Sequence, residues 1–109
     1  MEQLKRTQYN KLVRDRIPEI IRFSGKSCTT EKLTDEEFLR RLDAKLDEEL
    51  AEYHKDQNIE ELADLLEVIR AAVIARGYTL DDLERVRVEK AAKRGGFEKR
   101  ILLKEVYED

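Results

Sequence analysis

The chain has 109 residues, 43% charged and 40% hydrophobic, with a mean hydropathy of -0.71, so no stretch approaches the roughly 18 apolar residues that a membrane span requires. With Cys28 the single cysteine and His54 the single histidine, an internal disulfide and a zinc site of Cys and His ligands are both excluded, and any metal must be held by oxygen. The formal net charge of -3 conceals segregation: residues 1–26 net +4, residues 47–67 net -8 and residues 85–104 net +6, an acidic middle between two basic arms that suits a cation together with a polyanionic ligand.

The opening MEQLKRTQYNKLVRD has bases but no apolar region after them, unlike a secretory signal, and a cytoplasmic protein is expected. Asp15 is placed to cap a short helix running to about Phe23, with Pro18 in the first turn and Ser24-Gly25-Lys26 ending it; Asp15 fits a functional role equally well. Thr34 followed by Asp35-Glu36-Glu37 has capping-box spacing and starts a second helix that runs to about Lys55. Asn58 caps a third through about Ile74, stopped near Gly77, and Thr79 caps a fourth that ends at Gly95-Gly96. Arg100 to Val106 reads as a short strand. The expectation is an all-α chain, a bundle of about four helices with short extended segments at the termini, forming one compact domain over residues 1–109 with no separate regulatory module. With 6% aromatics and no tryptophan its core would be thin, which favours a homo-oligomer.

Carboxylates fall where apolar residues belong. Phe38, Leu42, Leu46, Leu50 and Tyr53 define the buried stripe of the second helix, and at about 100° per residue Glu49 points between Phe38 and Leu42. Glu52 lies one turn on, at the stripe's edge, and Glu48 projects from another side. On the third helix Glu61 and Asp64 border the arc of Leu62, Leu65, Leu66, Ile69 and Val73. Burying uncompensated carboxylates costs several kcal/mol each, and a divalent ion is the economical remedy. Mg²⁺, with Mn²⁺ as the alternative, takes carboxylate oxygens and keeps waters for phosphates and for a nucleophile. Solvated surface acids are the competing explanation. A ferritin-like di-metal bundle, built on Glu-x-x-His pairs, is set aside because Ala51 stands three residues before His54.

Lys90 and Arg94 share a face of the last helix with Lys93 beside them, just before Gly95-Gly96-Phe97, an arrangement that could hold phosphate or simply offset the helix dipole. Lys11, Arg14 and Asp15 precede the first helix as a second polar set. With four glycines, none forming a phosphate loop, Walker A and dinucleotide fingerprints do not fit.

Glu48-Glu49-Leu50-Ala51-Glu52 followed by Glu61-Leu62-Ala63-Asp64 resembles the EExxE and ExxD motifs of the all-α nucleoside triphosphate pyrophosphohydrolases, the MazG-like superfamily. The opening YNKLVRDRIPEII and closing KAAKRGGFEKRILL resemble its phosphoribosyl-ATP pyrophosphohydrolase-like branch. The resemblance implies a MazG-like fold with Mg²⁺ ligands at Glu49, Glu52, Glu61 and Asp64, and Glu48 as a further ligand or base; water is deprotonated toward Glu48 or Glu49. It implies phosphate or nucleotide contacts from Lys90 and Arg94, with Lys93, Lys11, Arg14 and Asp15 as further binders. The implied reaction cleaves the α-β phosphate bond of a nucleoside triphosphate to the monophosphate and pyrophosphate, in house-cleaning of non-standard nucleotides, by a dimer or tetramer whose neighbouring subunits complete each site. The alternatives are phosphoribosyl-ATP as substrate, or a non-catalytic helical interaction or nucleotide-binding module. The acidic centre and a pI near 5.4 argue against nucleic acid as a partner.

Overall fold

A computed structural model describes residues 5–108; the first four residues of the basic opening segment and Asp109 lie outside it. The chain is all-helical, with α1 at Ile17–Phe23, α2 at Asp35–Asp56, α3 at Ile59–Ala75 and α4 at Leu80–Arg94. No helix is long and apolar enough to cross a membrane among the described residues.

Three of the four helix starts follow from their caps. Thr34, Asn58 and Thr79 sit in extended backbone, and their side-chain oxygens accept from the backbone N–H of Glu37, Glu61 and Asp82. At Thr34 only this half of the box is made, since the Glu37 carboxylate turns to Arg40 and Arg41. The reciprocal box forms at α4, where the Asp82 carboxylate accepts from the Thr79 N–H at 2.9 Å. Gln57, at φ 52°, takes the left-handed turn that reverses the chain between α2 and α3.

Asp15 does not cap α1. The Ile17 N–H bonds to the Arg14 carbonyl at 3.1 Å, which puts the cap position on Arg16, in right-handed backbone and with no side-chain cap bond. A capping side chain needs an extended residue immediately before the helix, and this turn removes it. The strand expected over Arg100–Val106 also does not form: no strand occurs among the described residues. Arg100 takes a positive φ of 58° in a turn closed onto the Phe97 carbonyl, and the exposed segment after it has no neighbouring strand to supply a ladder.

Packing is concentrated in one antiparallel hairpin. α2 and α3 lie against each other, with Asp43 in the first half of α2 paired to Arg76 just past the end of α3 at 3.7 Å. Leu42, 2% exposed, is the one buried hydrophobic side chain among the described residues. Among the described residues α4 packs only on α3, and every residue from Glu84 to Glu108 is exposed. The radius of gyration is 19.7 Å with extents of 80 × 31 × 23 Å, against about 13 Å for a compact domain of this length. The extended dimensions follow from α4 and the tail, which stand away from the α2–α3 hairpin. Phe97, Ile101, Leu102, Leu103, Val106 and Tyr107 all stay at least 74% exposed.

The box at α4 gives a direct test. Thr79→Ala is expected to cost about 1 kcal/mol of helix stability. Hydrogen bonds from the Thr79 backbone and hydroxyl hold the Asp82 carboxyl below its ordinary range, so the stabilisation is present above the ordinary aspartate pKa and is lost as pH falls through the lowered value. Thermal melts across acid pH should show this loss in the parent and a smaller one in Thr79→Ala; identical acid limbs would refute it.

Candidate metal centre

The hairpin brings three of the four expected ligands together. Carboxylate oxygens of Glu49, Glu61 and Asp64 lie within 4.8 Å of one another, all three residues half-buried. Glu49 reaches this point as its helical direction predicts: its side chain is 12% exposed and lies with Phe38, Leu42, Val68 and Ala71 in the wall of a pocket of about 240 Å³. Glu52, exposed at the edge, belongs instead to an adjoining group with Asp56 and Glu61, also within 4.8 Å. Glu61 is therefore common to both groups.

Electrostatics sort these acids. Partial burial, then repulsion from Asp56, Asp64, Glu52 and Glu49, holds the Glu61 carboxyl above its ordinary value, and it has no ion pair among the described residues. Glu48 behaves oppositely. Burial pushes it up, but hydrogen bonds from Lys11 at 3.1 Å and Lys45 at 3.3 Å outweigh that and hold it below the usual glutamate range. The same contact with Glu48 raises Lys11. Lys45 also reaches Glu49 at 3.3 Å, and Arg14 reaches Asp64 at 2.6 Å.

The segment before α1 thus crosses the hairpin. Arg14 and Asp15 join Glu49 and Asp64 in lining the pocket, Lys11 pairs with Glu48, and Arg41 donates to the Asn10 carbonyl at 2.8 Å. Lys90, Lys93 and Arg94 are elsewhere: all three are exposed on α4, and none lines the pocket. Lys45, Asp56 and Glu67, the last another pocket residue, were not singled out by sequence reasoning. For Lys45 a signal existed, since it stands three residues before Glu48 and four before Glu49. Asp56 lay hidden at the end of α2, where only the turn into α3 brings it to Glu61.

Such a donor set suits a hard, oxygen-loving cation. It offers carboxylates only, a net negative charge that two basic side chains offset in part, and a common member that its neighbours repel. It has no soft ligand for copper or for structural zinc.

No family model matches the chain, and no solved structure matches it. It is similar to an uncharacterized protein of Mycolicibacterium smegmatis, 61% identical over 41 residues, which is 38% of this chain. The matched stretch covers 42% of that protein's length.

Proposed function

We propose that the chain is a metal-dependent nucleotide pyrophosphohydrolase, cleaving the α-β bond of a nucleoside triphosphate to the monophosphate and pyrophosphate. The observation that carries this reading is the convergence of Glu49, Glu61 and Asp64 within 4.8 Å in and beside a pocket that a basic segment faces. The motif resemblance of Glu48–Glu52 and Glu61–Asp64 supports it.

Glu49, Glu61 and Asp64, with Glu52 at the edge, are the residues that would hold Mg²⁺ or Mn²⁺. When bound, such an ion neutralises phosphate charge and makes water more acidic. Glu49, in the pocket wall, is assigned the proton of the attacking water. Glu48, held as an anion by Lys11 and Lys45, is a poorer acceptor and instead fixes those two lysines beside the site. Water forms the new bond to the α-phosphorus as the bond to the bridging oxygen breaks and pyrophosphate leaves. Arg14, Lys11 and Lys45 supply positive charge at the pocket; Asp15, also in its lining, is suited to accept from a ligand hydroxyl.

Lys90, Lys93 and Arg94 enter this scheme only from a second copy. A homodimer or tetramer would lay the basic, exposed C-terminal part of α4 of one protomer along the acidic hairpin of another and cover the apolar residues that a lone chain leaves in water.

The test is pyrophosphate release from a panel of standard and modified nucleoside triphosphates, with phosphoribosyl-ATP included, in Mg²⁺ and in EDTA. The assay is run on each species separated by size-exclusion chromatography with light scattering. Release that requires metal and resides in a dimer or tetramer is expected. A folded protein silent across the panel overturns the assignment and leaves a binding module.

A further inference from the structure

Two cations of the chain stand against the carboxylates proposed to hold metal, and they differ in how they are held. Lys45 is part of α2, its side chain is 17% exposed, and it is held at 3.3 Å by both Glu48 and Glu49 of the same helix. Arg14 comes from an irregular segment fifty residues from Asp64 in sequence, and its side chain is 56% exposed. The backbone around it is fastened by other contacts: Lys11 to Glu48, Arg41 to the Asn10 carbonyl, and Ile17 to the Arg14 carbonyl. The guanidinium can therefore leave Asp64 and swing within the pocket while its segment stays seated.

A guanidinium and a divalent cation at one carboxylate repel each other, and the hard ion is the stronger claimant on carboxylate oxygen. A freed arginine matches phosphate, whose oxygens its planar fork engages in pairs. We propose that Arg14 is the resident counter-ion of the centre, holding Asp64 until a divalent cation takes that carboxylate and then turning to the phosphates of the nucleotide. This inference rests on the pyrophosphohydrolase reading above. Arg14 is then a competitor of the metal and an ally of the substrate, roles that a merely structural salt bridge does not combine.

The experiment is calorimetric titration of Mn²⁺ into the nucleotide-free full chain at low salt, for the parent, Arg14→Ala and Arg14→Lys. Binding of an α,β-methylene nucleoside triphosphate in Mg²⁺ is then measured for the same three proteins, with circular dichroism reporting the fold. Arg14→Ala is expected to bind Mn²⁺ roughly 3- to 10-fold more tightly and the nucleotide analogue roughly 10-fold more weakly. Arg14→Lys keeps the charge but not the fork, so it should restore parental Mn²⁺ affinity while analogue binding stays weak. Parent binding with Arg14→Ala equal or weaker for Mn²⁺ overturns the counter-ion role and leaves the metal centre standing. Absence of Mn²⁺ binding in all three folded proteins overturns the metal reading itself, and this inference with it.

Discussion

Glu49→Gln and Asp64→Asn are each expected to lower metal-dependent pyrophosphate release by roughly 100-fold or more while leaving helical content unchanged. Residues one shell out from a catalytic metal cost roughly 10- to 100-fold when removed, so direct ligands sit at the top of that range or beyond it. The substitutions preserve side-chain size and remove one negative charge from a group whose oxygens lie within 4.8 Å. Each also breaks an ion pair, Lys45–Glu49 or Arg14–Asp64. The exposed Arg14–Asp64 pair is worth only about 0.2–1 kcal/mol, Lys45 keeps Glu48 at 3.3 Å when Glu49 loses its charge, and losing mutual repulsion at Glu61 works the other way. Melting midpoints should therefore stay near the parent's while turnover collapses. Parental turnover in either variant would remove Glu49 or Asp64 from the site.

Leu42→Ala is the substitution expected to damage the fold most. Deleting a buried leucine side chain costs about 2–5 kcal/mol through lost transfer energy and the cavity left behind. Whole domains are stable by only about 5–15 kcal/mol, and Leu42 is the one buried hydrophobic residue among those described. It also lines the same pocket wall as Glu49, so its loss should loosen the carboxylate arrangement as well as the hairpin. Urea denaturation followed by circular dichroism measures the effect. A cost under about 1 kcal/mol would mean that the decisive apolar contacts lie elsewhere than between α2 and α3.

What could be read from the sequence was whatever depends on local geometry. Thr34, Asn58 and Thr79 announced their helices because a cap is a contact across three residues. The inward direction of Glu49 was legible because helical turning is regular, and that of Asp64 because it lies four residues before Val68, with which it shares the pocket wall. The pairings of Arg14 with Asp64 and Lys11 with Glu48 were not legible, since they depend on where an irregular segment crosses the hairpin. Asp15 misled for the same reason: its cap role failed once the turn at Arg14–Ile17 shifted the helix start. The tail misled differently, because Ile101, Leu102, Leu103 and Val106 have strand-like composition, yet a strand needs a neighbour that composition does not supply.

The extended shape bears on symmetry. The chain carries two unlike faces, an acidic hairpin and a basic arm with exposed Val86 and Val88, and they lie on different helices. If each of two copies gives its arm to the other's hairpin, both faces are consumed and the assembly closes on a two-fold axis. If an arm is accepted without one being returned, a face is left over at each end and the assembly grows as an open series. In such an assembly the angle at which α4 leaves α3, set around Gly77 at φ 91°, would select between closure and growth.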